Sequence, residues 1–275
     1  MHRIVPAEQP PTCCDWSALA EIWSEEAGDP DAPLVALIHG TMDRSTGMLR
    51  LSRQLDERYR VLRYDRRGYG RSVHEGPFTM AGQVDDVVGL LAGRRAVLIG
   101  HSYGGNVALA TAERHPEMVA AVGVYETPLS WEPWWPGTTA GGAARATDGS
   151  PADAAERFMR RMVGDQLWER LPQRTRETRR AEGPALVGEL RDLADERPWS
   201  AGGIACPLLV SHGSRGADHH RDGMRFVRDA VPHSELVVLA DCRHDAPLSD
   251  ASLFAEQVVE PVLRAAGPPW SSRLG

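Results

Sequence analysis

Apolar and polar positions alternate in blocks along this chain. Leu34-Val35-Ala36-Leu37-Ile38 is a continuous apolar run, as expected of a strand buried on both faces, and it ends at His39-Gly40. Arg60-Val61-Leu62-Arg63-Tyr64, Ala96-Val97-Leu98-Ile99, Val119 to Tyr125, Pro207 to Ser211 and Glu235 to Leu239 read as further strands. Between them lie longer amphipathic stretches that predict helices: Met48 to Arg58, Met80 to Leu91, Tyr103 to Arg114, His220 to Ala230 and Leu253 to Ala266. In the second of these, Val84, Val87, Val88 and Leu91 share one face. His115-Pro116 stops the third. From about Thr127 to Ser200 the rhythm breaks into helical stretches without a strand. Within it, the Ala/Gly-rich Thr138 to Ala146 reads as a mobile loop. Ser17 to Glu25 alternates like an antiparallel edge hairpin, and the tail from Gly267 reads as loose.

Strands alternating with helices predict an α/β fold: a doubly wound, mostly parallel sheet covered on both faces. Ligands of such sheets sit beyond the carboxyl ends of the strands. The residues that follow each strand therefore carry the functional expectation. They are His39-Gly40-Thr41, Asp65-Arg66-Arg67-Gly68, Gly100-His101-Ser102, Glu126, His212-Gly213 and Cys242-Arg243-His244. A serine, a carboxylate and a histidine would gather on one sheet edge.

Composition narrows the chemistry. The chain has 275 residues, 42% apolar and 25% charged, which is ordinary for a globular protein. Its longest apolar stretch, Met118 to Tyr125, has 8 residues, far short of the ~20 of a membrane span. The first residues lack the apolar run of a signal peptide, so a cytoplasmic location and no membrane partner are expected. The net charge of −7 disfavours nucleic acid as a partner. Glu169, Glu177 and Glu182 interrupt the basic cluster at Arg170 to Arg180, which reads as a solvated helix face. All 31 basic residues are arginine, which excludes a lysine Schiff base and a P-loop lysine. Cys13, Cys14, Cys206 and Cys242 form no C-x-x-C pair and read as reduced thiols. His219-His220 stands outside any known ligand spacing, so no metal and no cofactor are expected.

Gly100-His101-Ser102-Tyr103-Gly104 fits G-x-S-x-G between a strand and a helix. A nucleophilic serine must sit on a sharp turn that pushes its hydroxyl into the cleft, and side chains at the flanking positions would collide with the neighbouring strand and helix. With His39-Gly40, Asp65-Arg66-Arg67-Gly68-Tyr69-Gly70-Arg71-Ser72 and the late His244, this set resembles the α/β-hydrolase family over roughly residues 15–266. The resemblance implies Ser102 as nucleophile and His244 as base. It also implies an oxyanion hole made by the backbone N–H groups of Thr41 and Tyr103, with His39 bracing the oxyanion loop.

The acid has two candidate positions. The family's common place is three residues after the glycine of His212-Gly213, where this chain has Gly216; Asp218 follows two residues later. Some relatives, such as certain haloalkane dehalogenases, place the acid directly after the strand that follows the nucleophile helix, which here is Glu126. Glu126 is preferred and Asp218 is the alternative, with Asp222 and Asp245 further out. A serine at the elbow separates this chain from epoxide hydrolases and dehalogenases, which resemble it but carry aspartate there.

The resemblance divides the chain into a core, residues 1–126 and 201–275, and a helical lid insertion, residues 127–200. Trp131, Trp134 and Trp135, near the strand end, are expected to line the substrate site. Phe158, Met159, Met162 and Trp168 are expected to form the lid's own core. The expected activity is cofactor-independent serine hydrolysis of an ester, thioester or lactone of a hydrophobic small molecule. Alternatives are C–C hydrolysis, perhydrolysis or natural-product cyclisation by the same triad, or a non-catalytic small-molecule binder on the same fold.

Overall fold

The structure is a computed structural model, which describes residues 22–72, 76–145 and 149–267. Seven strands form one sheet in the order β1-β3-β2-β4-β5-β6-β7. They are β1 (Ser24–Ala27), β2 (Leu34–Ile38), β3 (Arg60–Tyr64), β4 (Ala96–His101), β5 (Val119–Tyr125), β6 (Leu208–Gly213) and β7 (Ser234–Leu239). Only β1 is antiparallel, paired to β3 through Ser24 opposite Tyr64; the other neighbours run parallel. Of the expected edge hairpin, Ser24 and Glu25 fall in the antiparallel edge strand β1, while residues 17–21, like Cys13 and Cys14, lie outside the described residues.

The unbroken apolar runs follow from burial on both faces. In β2, Leu34, Ala36 and Ile38 enter one core layer while Val35 and Leu37 enter the other. The first layer is completed by α2 (Met80–Leu91) and α3 (Tyr103–Arg114), the second by α1 (Leu49–Leu55). Thr79 caps α2, its hydroxyl accepting from the Gly82 N–H at 3.3 Å.

Between β5 and β6 the chain inserts α4 (Ala140–Arg145), α5 (Pro151–Val163), α6 (Asp165–Arg170), α7 (Gln173–Ala181) and α8 (Gly183–Asp195). The expected mobile loop is instead α4 over most of its length. Thr139 caps it by accepting the Gly142 N–H at 3.0 Å, and the alanines favour the helix. Ser150 and Asp153 form a reciprocal cap on α5. Phe158, Met159 and Trp168 pack in this insertion's own apolar cluster, which also takes in Met42 and Tyr69 from the core. Met162 is exposed.

After β6 come α9 (Asp218–Ala230), then β7, α10 (Ala246–Ser249), α11 (Ala251–Phe254) and α12 (Glu260–Ala265). The single helix expected over Leu253 to Ala266 is broken by a π turn, Ala255–Val259. Pro261 lacks the N–H that a continuous helix would need there. Among the described residues, no helix is long and apolar enough to cross a membrane, and Cys206 and Cys242 are buried free thiols.

Candidate active site

Ser102 lies between β4 and α3 with φ 53° and ψ −124°, a conformation that costs a non-glycine residue about 1–3 kcal/mol. The turn is tight enough to require its glycines. A Cβ at Gly100 would lie 2.5 Å from the Gly104 carbonyl oxygen, and one at Gly104 would lie 2.2 Å from that of Ile38. Gly40 also comes close from β2, because a Cβ there would meet the Ser102 Cβ at 3.0 Å. The oxyanion loop expected from the sequence therefore lies directly against the serine. Neither the Thr41 nor the Tyr103 N–H has a hydrogen-bond partner among the described residues.

Glu126 is the first residue past β5. It is fully buried, with φ 47°. Its Oε2 accepts from His244 Nδ1 at 2.7 Å, and its Oε1 accepts from the Gly213 N–H at 3.0 Å. Since the carboxylate only accepts, the His244 proton sits on Nδ1, which leaves Nε2 bare in the neutral ring. A Cβ at Gly216 would lie 2.2 Å from Glu126 Oε1. The position where the family usually carries its acid is thus a glycine whose space the Glu126 carboxylate has taken. Asp218 stands at the start of α9, exposed and paired with Arg221. Asp222 is exposed and paired with Arg225, and Asp245 is exposed before α10.

His244 sits in the turn between β7 and α10. Two contacts hold the turn against the sheet edge. His101 Nε2 donates to the His244 carbonyl at 2.8 Å, and the Tyr125 hydroxyl donates to the Arg243 carbonyl at 2.6 Å. Burial, with His244 beside it, pushes the His101 imidazole down to about 3, so it is neutral at physiological pH. Met42, Ser102, Glu126 and Asp241 are four of the five non-glycine residues with positive φ among the described residues, and all border this edge. Clustering of strained backbone marks functional sites.

The loop from His39 to Thr41 is tied into the fold by buried polar groups. His39 Nδ1 donates to the Gly40 carbonyl at 2.8 Å, and its Nε2 accepts the Arg66 N–H at 2.9 Å. Arg66 donates through Nε to the His39 carbonyl (3.0 Å), through Nη2 to the Gly40 carbonyl (3.1 Å) and through Nη1 to Glu189 of α8 (2.8 Å). The Tyr69 hydroxyl donates to the same carboxylate at 2.8 Å. The sequence places Arg66 among the strand-end residues but carries no signal for Glu189, its partner 123 residues away.

Of the three expected substrate-site tryptophans, Trp135 comes nearest His244, through His220. It is buried, and its ring meets those of His219 and His220 edge-on at 4.9 and 5.6 Å. Trp134 is 42% exposed beside Phe226. Trp131 packs edge-on against Trp199 at 5.8 Å, on the main core.

Asp43, two residues past Thr41, is raised to about 6 by burial, with the Arg44 backbone N–H and the nearby Arg179, Arg66 and Arg44 charges offsetting part of the rise. Between its ordinary value of 3.8 and about 6 the folded chain binds more protons than the unfolded one, so this residue's contribution to stability falls as pH rises through that window. Asp43→Asn is therefore expected to raise the thermal midpoint at pH 8, and the gain should vanish near pH 4. Scanning calorimetry at both pH values would refute this if the gain were the same at each.

Glu126, His220 and His244 offer ligand atoms that all lie within 4.8 Å of one another. The 2.7 Å separation of His244 Nδ1 and Glu126 Oε2 is that of a hydrogen bond, which places a proton in the Nδ1 lone-pair direction.

Comparison with known proteins agrees with this architecture. Epoxide hydrolase 4 of Mus musculus is 32% identical over 108 residues, 37% of this chain and 30% of that protein. The chain spans about a third of the length of the curated relatives it matches. The enol-lactonase from Burkholderia xenovorans LB400 is 26% identical with a TM-score of 0.67, covering 88% of this chain and 96% of that one. A thermophilic esterase from Thermogutta terrifontis is 25% identical with a TM-score of 0.68, covering 89% and 93%. These homologues and fold neighbours are hydrolases. The model of the alpha/beta hydrolase family matches residues 35–257, and with the sheet order and elbow described above, the chain belongs to that family.

Proposed function

We propose that this protein is a cofactor-independent serine hydrolase acting on an ester, thioester or lactone of a hydrophobic small molecule. Ser102 Oγ attacks the carbonyl carbon while His244 Nε2 takes its proton. Glu126 holds the imidazole in the required tautomer and stabilises the imidazolium. The Thr41 and Tyr103 N–H groups receive the oxyanion, and the positive end of α3 adds to their field. His244 returns the proton to the leaving oxygen or sulfur, and an acyl-enzyme remains on Ser102. Water, deprotonated by His244, then releases the acid.

The observation that carries this reading is the buried Glu126–His244 bond on the same sheet edge as the strained Ser102. The likeness to an enol-lactonase and an esterase favours carboxylic ester bonds. Epoxide hydrolases are among the sequence relatives, but the elbow residue here is serine. In this reading residues 127–200 form the lid over the core.

Active-site labelling with a fluorophosphonate, located by mass spectrometry, tests the proposal. Wild type should carry the adduct on Ser102, with none on Ser102→Ala and greatly slowed labelling of His244→Ala. A folded wild type that takes up no label at Ser102 would sink it.

A further inference from the structure

His220 enters the sequence only as half of a His-His pair at a helix start. In the structure its ring lies almost flat on His244, with centroids 4.6 Å apart and planes 17° apart. On its other contacts it meets the ring of His219 at 4.3 Å and the edge of Trp135 at 5.6 Å. Trp135 can lie this close to α9 because of Gly223, where a Cβ would sit 3.1 Å from the indole. The His220 Nδ1 is buried and has no hydrogen-bond partner among the described residues. Burial, then His244, His219 and His101, hold His220 well below the usual histidine range, which favours its neutral form.

A base in a triad must keep both ring nitrogens aimed. The His244 side chain turns about two single bonds. The His101 hydrogen bond fixes its backbone carbonyl, and Glu126 fixes one ring atom, Nδ1. A ring pinned at one atom can still swing its far nitrogen about that bond, and a terminal sp³–sp² torsion is broad. A flat contact against a second ring removes that remaining freedom.

We infer that His220 is a positioning residue: stacked on His244 and braced by Trp135, it sets the plane of the His244 ring so that Nε2 faces the Ser102 elbow. This rests on the triad reading above. It also gives the start of the insertion, through Trp135, a mechanical link to the base that passes through no hydrogen bond.

Two variants separate a plate from a mere filler. His220→Ala removes the plate; His220→Phe keeps a flat ring and removes both nitrogens. The assays are kcat and KM on a p-nitrophenyl acyl ester, the fluorophosphonate labelling rate, and the downfield proton signal of His244 Nδ1–H in NMR spectra. Small misplacements of catalytic groups cost up to ~100-fold. We expect His220→Ala to lose about 10- to 100-fold in kcat with KM within about twofold, and its downfield signal to broaden. His220→Phe should recover kcat to within about threefold of wild type and keep the signal sharp. Wild-type kcat in His220→Ala overturns the inference. So does a loss that Phe fails to restore in a variant with a wild-type melting temperature, because the nitrogens would then matter rather than the plane. If wild type takes no label on Ser102, the triad reading fails on its own. The NMR comparison still decides the positioning role, and an equally sharp signal in His220→Ala refutes it.

Discussion

Glu126→Gln is expected to lower kcat by about 10³- to 10⁴-fold while the protein stays folded. The two carboxylate oxygens face two donors, His244 Nδ1–H and the Gly213 N–H. A glutamine has one acceptor and one donor end, so it cannot serve both. If its oxygen takes the Gly213 N–H, its NH₂ faces His244 Nδ1 and forces the proton to Nε2, where it blocks acceptance of the Ser102 proton. If its oxygen turns to His244, two N–H groups confront each other at Gly213 in a fully buried place. The backbone bond from the Glu126 N–H to the Ser211 carbonyl, 3.0 Å, survives either way, so the strand end should hold. Asp218→Asn serves as the contrast. That carboxylate is exposed and paired with Arg221, so kcat should stay within about twofold. Fluorophosphonate labelling rates and steady-state kinetics on one acyl ester read both variants. Equal losses, or a larger loss in Asp218→Asn, would remove Glu126 from the acid's role.

The sequence made the sheet legible because parallel strands are buried on both faces. The runs Leu34 to Ile38, Arg60 to Tyr64 and Val119 to Tyr125 match their strands residue for residue. Helices with a clear stop, such as Tyr103 to Arg114 before His115-Pro116, were equally plain. The elbow was legible because its glycines are needed where backbone meets backbone, at Gly100 and Gly104. Glu126 could be singled out at a strand end before Thr127-Pro128, but the bond it makes depends on Gly213 and on space at Gly216, which only the fold brings together. What stayed hidden follows the same line. The α4 helix depends on a threonine cap inside a segment whose glycines suggest a loop. The π turn at Ala255–Val259 precedes Pro261 with no signal in the apolar periodicity. His220 lies on a strongly amphipathic helix like any surface residue, and its stacking partner comes from a turn 24 positions later, with no periodic signal to connect them. Arg66 and Glu189 find each other only because the insertion folds back over the loop that carries His39 and Gly40.

That last pair gives the second large expected effect, this one on stability. Both side chains are essentially inaccessible, at 0% and 1% exposure, and the guanidinium also lies over the rings of Tyr103 and Tyr69 at 4.6 and 5.1 Å. A buried pair that loses one partner leaves the other charge uncompensated, at a cost of about 3–5 kcal/mol. Glu189→Gln is therefore expected to lower the thermal midpoint by roughly 10 °C for a chain of this size. Replacing both partners with apolar residues, Arg66→Met with Glu189→Leu, removes the stranded charge but leaves the buried His39 carbonyl and Tyr69 hydroxyl without these partners, so it should recover only part of that loss. Activity should not recover with it. Arg66 supplies the donors for the His39 and Gly40 carbonyls, the backbone that carries the Thr41 N–H past Ser102. The double variant should thus melt above Glu189→Gln yet show kcat lowered by about 10-fold or more, as when donors around an oxyanion lose their alignment. Thermal melts beside acyl-ester kinetics on the three proteins would separate the two roles. Full recovery of kcat in the double variant would mean the ion pair only holds α8 to the core. Recovery of stability alone would mean that the insertion, through Glu189 and Arg66, keeps the oxyanion loop in working shape.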